Sequence, residues 1–289
     1  MDRKVQRNQD GWIESNLNQG IGSIQEDLRV RLGLPSLSMV LMMMENESIR
    51  HDFGINGWRG RLGFMVVSTD TTVESDAFRM VPYGVSVHFH RIPLKDVTVK
   101  SLSEMIQGVE TSAKLLSEIQ PDAMAFACTS ASVVIGDQAI IDRIHKTAQG
   151  VYATTIITAV INALKALQLK KISLVTPYVD DINRLEMEYL TERGFQVLDV
   201  KGLGITEDMR IACVSPDKIY RFVKSADISQ SDGLFISCGN FRSSTIIEVL
   251  ERDLKKPVIT SNQAMIWDML SHLQIRGPVL GYGELMRTL

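Results

Sequence analysis

The chain has 289 residues, 45% hydrophobic and 22% charged, with a formal net charge of −3. That length can bury one large core or two lobes of roughly one hundred residues each. The charge balance offers no basic field to nucleic acid or anionic membrane, and the longest apolar run, Leu37 to Met44 broken only by Ser38, falls far short of the roughly 20 residues of a membrane span.

Residues 1–58 read as an N-terminal extension. The opening MDRKVQRNQDGW is polar and lacks the apolar core of a secretory signal. Ile21 to Leu34 has the spacing of an amphipathic helix, and Leu37 to Met44 reads as a buried strand or an interface. The run Met42-Met43-Met44 fits core or subunit contact better than a ligand site. Three cysteines, an odd number, argue against a disulfide framework. A cytoplasmic protein with reduced thiols is expected.

From Arg61 the chain repeats itself at one spacing. RLGFMVVSTD (Arg61 to Asp70) matches KISLVTPYVD (Lys171 to Asp180), with 171 − 61 = 110. GVSVHFHRIP from Gly84 matches GFQVLDVKGL from Gly194, and 194 − 84 = 110. PDAMAFACTS (Pro121 to Ser130) matches SDGLFISCGN (Ser231 to Asn240), and 231 − 121 = 110. In this last pair Cys128 falls on Cys238. Each half reads strand, helix, strand, helix, strand, then a helix after the cysteine turn, with helical apolar spacing in Ser103 to Ile119 and Ile156 to Leu167. The predicted fold is α/β: two similar doubly wound lobes with mostly parallel sheets, related by a pseudo-two-fold axis, with the active site in the cleft between them. The first lobe spans 59–168 and the second 169–274. Residues 275–289 are expected to return to the first lobe, with a strand over Gly277 to Gly283.

In open parallel sheets, ligands bind beyond the carboxyl ends of the strands. Cys128 closes AMAFAC before the hydroxyl-rich TSAS, and Cys238 closes GLFISC before Gly239 and Asn240. Each thiol is thus expected where a strand turns into a helix, whose N-terminus favours thiolate and holds anions. Two opposed thiols can remove a proton from one face of a carbon and return it on the other. Cys213, in RIACVS, has no repeat partner and reads as structural. No zinc-type spacing surrounds either cysteine, and no GxGxxG or Walker loop occurs, so neither metal nor cofactor is expected. His88 and His90, two apart on a strand, read as surface or interface residues.

Taken together, FACTSAS, ISCGN, VTPYVDDINR and KGLGITEDM resemble the aspartate/glutamate racemase superfamily. The resemblance is to its branch of maleate cis-trans isomerase, arylmalonate decarboxylase and the ectoine-utilisation protein. It covers Arg61 to Gly283 and implies catalytic roles for Cys128 and Cys238. In the decarboxylase the first of these is a glycine, so both thiols argue for a two-sided reaction. The resemblance further implies that Thr129, Ser130 and Tyr178 hold a substrate carboxylate. It places N–H groups of Gly239 and Asn240 around the same anion.

Two departures stand out. Maleate isomerases carry asparagine where this chain has Asp70 and Asp208. An added carboxylate repels a bound dianion by roughly 1–4 kcal/mol at a few ångströms in a partly solvated site, whereas it suits a substrate bearing an amino group. Asp70 is alternatively a general base on Cys128, or a cap at a helix start. The expected activity is cofactor-independent racemisation or isomerisation of a small amino- or hydroxy-carboxylate, of the ectoine-utilisation type. Its rivals are maleate isomerisation by covalent cysteine attack, arylmalonate-type decarboxylation, and a non-catalytic two-lobed carboxylate-binding protein. The expected partners are that small carboxylate and further copies of the chain, in a dimer or higher oligomer.

Overall fold

The three matched segment pairs form the centres of two sheets. In this computed structural model residues 56–94, 96–226 and 229–289 are described; the readings at Ile21 to Leu34 and Leu37 to Met44 lie outside them. The first half runs β1 (Gly60–Val67), α1 (Val73–Met80), β2 (Val85–Ile92), α2 (Val99–Glu104), α3 (Ile106–Ser117), β3 (Ala123–Phe126), α4 (Thr129–Ile135), α5 (Asp137–His145), β4 (Tyr152–Thr155) and α6 (Ile156–Ala166). The second runs β5 (Lys171–Thr176), α7 (Asp180–Glu192), β6 (Gln196–Gly202), α8 (Asp208–Ala212), α9 (Pro216–Lys224), β7 (Gly233–Ile236), a 3-10 turn (Ser244–Ile246), α10 (Ile247–Leu254), β8 (Val258–Thr260) and α11 (Ser261–His272). A last short helix, α12 (Gly283–Met286), follows.

Both sheets are parallel and have equivalent strand orders, β2-β1-β3-β4 and β6-β5-β7-β8. The central strands are apolar almost throughout because helices cover both their faces. Leu62, Phe64 and Val66 of β1 are fully buried, as are Ile172, Leu174 and Val175 of β5. Each such side chain contributes about 1.5–3 kcal/mol by leaving water. Register places Phe64 beside Phe89, and their rings stack at 5.2 Å.

The cover helices cross over. From α11, at the end of the second half, Met265, Ile266, Met269 and Leu270 pack on Leu62, Phe64 and Val66 of the first sheet. From α6, at the end of the first half, Ile157, Val160 and Leu164 pack on Ile172, Leu174 and Phe235 of the second. A further core, continuous between the halves, runs through Phe126, Cys128, Tyr178, Ile236 and Cys238.

One expectation is corrected. Gly277 to Gly283 contains no strand. Gly277, Gly281 and Gly283 take φ of 129°, 93° and 79°, backbone that a regular strand does not accept but glycine allows. The segment closes on itself instead, with Gly277 N–H donating to Leu289 O and Val279 N–H to Met286 O, both at 3.1 Å. Ile275 and Met286 pack in the first sheet's core and Leu285 in the second's. No described helix is long and apolar enough to cross a membrane.

Candidate active site

The two cysteines sit at equivalent strand ends. Ala127 N–H donates to Met65 O and Ser237 N–H to Val175 O, each at 2.8 Å, so both strands are tied to their sheet centres one residue before the thiol. The backbones then diverge. Cys128 is extended, with φ −136° and ψ 109°, and caps α4. Cys238 has φ +94°, a strained conformation for a side-chain-bearing residue that costs about 1–3 kcal/mol.

All nine residues singled out in the sequence, namely the two cysteines with Asp70, Thr129, Ser130, Tyr178, Asp208, Gly239 and Asn240, line one cavity. Val67, Leu94, Val97 and Ala127 supply its apolar wall. The cavity measures about 10 Å³, room for about one water, so a larger ligand needs its cover to move. Part of that cover is the segment holding Leu94 and Val97, latched across the halves by Val97 N–H donating to Thr206 O at 2.8 Å.

Asp70 is a cap: its Oδ1 accepts from Thr72 N–H at 2.9 Å and Val73 N–H at 2.8 Å. Asp208 accepts on Oδ2 from Thr69 Oγ1 and Asn240 Nδ2, both at 2.7 Å. Asn240 Oδ1 in turn accepts from Thr71 N–H at 3.0 Å and Thr72 Oγ1 at 3.1 Å, which knits the second cysteine's turn to the first half. Burial pushes the Asp70 carboxyl up to about 7, despite the opposing pull of the Val73 and Thr72 amides, and nearby Asp208 adds to the push. Asp208 is raised as well, again by burial, against its bonds from Thr69 and Asn240.

The thiols do not follow the expectation of a lowered pKa. Burial pushes Cys128 up to about 12, with Asp208 and Asp70 adding to it and the Ala131 amide and Ser130 hydroxyl opposing. Cys238 is raised well above its ordinary value by burial and Asp208, against the Tyr178 hydroxyl and the Asn240 amide. The helix N-terminus does supply an amide to Cys128, but desolvation of the charged form outweighs it. Burial therefore disfavours the thiolate form of both cysteines.

Sequence reasoning missed the residues that support the site from behind. Ser261 Oγ pairs with Thr129 Oγ1 at 2.9 Å and accepts from Cys238 N–H at 3.0 Å, so one hydroxyl ties both half-sites. Asn262 Nδ2 donates to Gly239 O and to Asp76 Oδ2, both at 2.8 Å. The signal was present as Thr260-Ser-Asn-Gln263, a capping box that starts α11. Three other residues lie outside the cavity. His88 pairs with Ser86 at 2.9 Å and His90 with Ser112 at 2.8 Å. Cys213, expected to be structural, is exposed, because it ends α8 at the surface rather than facing a core. Among the described residues, no group of three or more His, Cys, Asp or Glu side chains could hold a metal ion.

The family described as arylmalonate decarboxylase matches residues 62–286. Maleate isomerase of Nocardia farcinica is 25% identical over 239 residues, which are 78% of this chain and 95% of that one. Arylmalonate decarboxylase of Bordetella bronchiseptica is 29% identical over 72% of this chain and 88% of its own length. A solved structure of a maleate isomerase from Pseudomonas putida S16 with maleate superposes with a TM-score of 0.76 at 25% identity, covering 78% of this chain and 97% of that one.

Proposed function

The chain belongs to the arylmalonate decarboxylase family, and on that footing we propose that it is a cofactor-independent racemase or epimerase of a small carboxylate bearing an amino or hydroxyl group, the type that the ectoine-utilisation resemblance implies. The observation that carries this reading is the charge of the cavity. Two acids, Asp70 and Asp208, line it together with both thiols, and no Lys, Arg or His of the described residues does. An ammonium group between the acids would neutralise the carboxylate charge that adds to burial in pushing both thiols up, and so would favour thiolate. A dianion would push the other way.

In this mechanism the Tyr178 hydroxyl, Thr129, Ser130 and the Gly239–Asn240 amides clamp the substrate carboxylate. One cysteine thiolate takes the α-proton, and the C–H electron pair moves into the carboxylate to form an enediolate. The opposite thiol then gives its proton to the other face of the carbon. The thiolate and thiol have exchanged places at the end, so the reverse reaction starts from the product state.

Maleate isomerisation remains a second reading because curated relatives at 25–27% identity over 78% of the chain are maleate isomerases. There Cys128 sulfur would bond to one alkene carbon and Cys238 would protonate the other. Rotation about the resulting single bond, followed by the reverse steps, would release the trans isomer. The raised pKa of Asp70 favours a protonated acid able to donate to a dianion.

Incubation in deuterated water with aspartate, glutamate, diaminobutyrate, its N-acetyl forms and maleate separates these readings. Cysteine-dependent loss of an α-proton signal from an amino acid is the expected result. Conversion of maleate to fumarate without α-exchange moves the assignment to the covalent isomerase, and release of carbon dioxide from an arylmalonate moves it to the decarboxylase. A homo-oligomer, proposed from the Met-rich extension, is checked by light scattering.

A further inference from the structure

The offset that pairs the cysteines also pairs two acids, since 186 − 76 = 110. Asp76 on α1 and Glu186 on α7 are both buried, but their surroundings differ. Asp76 accepts from Ser244 Oγ at 2.6 Å and Asn262 Nδ2 at 2.8 Å. Neither oxygen of Glu186 makes a hydrogen bond. Where Asp76 finds polar partners, the residues at the equivalent positions of the first half are apolar. Ser244 corresponds to Val134, because 244 − 134 = 110. Asn262, second residue of α11, corresponds to Ile157, second residue of α6.

A buried carboxylate with neither a hydrogen bond nor a cation is costly, so such a group stays neutral until the pH forces it. Among the described residues no cation relieves Glu186. Arg184 pairs with Asp181 at 3.3 Å, Arg193 with Asp137 at 3.1 Å, and Lys201 of β6 bonds Ser225 Oγ at 2.7 Å. The other titratable groups on the elements around it are Asp180, Glu188, Tyr189 and Glu192 of α7, Asp199 of β6, Lys171 at the exposed start of β5, and Cys128 at the cap of α4. Two groups couple to it directly. Ser237, the residue before Cys238, stabilises its charged form, and burial still pushes it up to about 7. A charge on Glu186 holds the Tyr178 proton more tightly, and Tyr178 is the hydroxyl that stabilises a Cys238 thiolate.

We propose that Glu186 is a positioning residue acting through Tyr178: neutral, it leaves the tyrosine free to stabilise a Cys238 thiolate; ionised, it keeps Cys238 as the thiol that delivers a proton. The equivalent acid of the first half, Asp76, is fully bonded and turned to supporting Asn262, and the acids that act on Cys128 are instead Asp208 and Asp70 of the cavity itself. The two halves of the duplicated site are thereby made chemically unequal. This role rests on the two-thiol reading, but its test does not, because thiol alkylation needs no substrate.

The experiment follows iodoacetamide labelling of each cysteine by mass spectrometry in the unaltered chain, in Glu186→Gln, in Tyr178→Phe and in the double variant. In Glu186→Gln, Cys238 should label about tenfold faster than in the unaltered chain at about pH 8.5 and equally fast at about pH 5.5, with Cys128 unchanged. The gain should vanish in the Tyr178→Phe background. An equal gain at both pH values, or one shared by Cys128, would mean that the substitution merely loosens the fold, and would overturn the proposal. If Glu186→Gln does not fold, Asp70→Asn decides, because it removes a cavity acid that acts on Cys128 and not on Cys238: in that variant the labelling rate of Cys238 should climb less steeply than that of Cys128 above about pH 7, and parallel profiles would overturn the proposal. Failure of proton exchange with unequal labelling profiles would instead sink the reaction and leave Glu186 in its role.

Discussion

Replacing Asp70 by asparagine should stabilise the protein at alkaline pH and not at acid pH. The carboxyl titrates at about 7 in the folded chain against 3.8 for the free group. Below pH 3.8 it is neutral in both states, and its folded environment is fully tolerated. As pH rises through that value the unfolded chain ionises first, so stability is lost progressively until the folded carboxyl also ionises near 7. The lost stability is about 4 kcal/mol, the gap between 3.8 and about 7 at about 1.4 kcal/mol per pH unit. Asparagine keeps the oxygen that accepts from Thr72 and Val73, and gives up at most about 1 kcal/mol of charge–dipole attraction at the start of α1. A net gain of about 3 kcal/mol at pH 8 remains. Urea unfolding at about pH 8 and about pH 4.5 measures it, provided that the denaturant slope is unchanged. An asparagine variant no more stable at the higher pH than at the lower would refute the argument. The same variant should bind an ammonium-bearing substrate poorly, so stability and activity move in opposite directions.

Cys128→Ser and Cys238→Ser should each abolish racemisation, read as interconversion of the enantiomers, and full turnover in either would remove the two-thiol scheme. Cys238→Gly should lose turnover but keep its stability within about 1 kcal/mol, because glycine relieves the backbone at φ +94°; Cys128→Gly, at an extended residue, should unfold at lower urea. Ser261→Ala leaves Thr129 Oγ1 and the Cys238 amide without their buried partner, a loss of about 1–3 kcal/mol visible in thermal unfolding, with kcat falling more than KM rises.

The sequence made the fold legible wherever burial on both sheet faces forced continuous apolar runs. Hence β1, β3, β5 and β7 were found together with their outer neighbours β2 and β6. The fourth strands were not, because β4 and β8 are three or four residues long, end in threonine and fall out of step with the repeat: Thr260 lies 105 residues after Thr155. The nine cavity residues were legible through strand ends and resemblance. Ser261 and Asn262 were not, since neither is a type that chemistry singles out, and only the crossing of α11 brings them behind the cysteines. The direction of the thiol shifts was misread because a helix N-terminus can be seen in a sequence, whereas the depth of burial that opposes it cannot. Asp70 both caps the start of α1 and lines the cavity.

The exchange of α6 and α11 between the sheets has a consequence for how the chain must assemble. A half on its own would lose part of the cover of its sheet, Met265, Ile266, Met269 and Leu270 from the first and Ile157, Val160 and Leu164 from the second, and would leave apolar side chains of its own terminal helix in water, so each half gives up burial that a separate folding unit requires. Cut between α6 and β5, the molecule would behave as two complementing fragments whose recovery depends on concentration. Uncut, the few residues from Leu167 to Lys170 turn that encounter into an intramolecular closure, at an effective concentration on the order of millimolar. The shortest connection between the halves is therefore the one that makes them a single cooperative molecule.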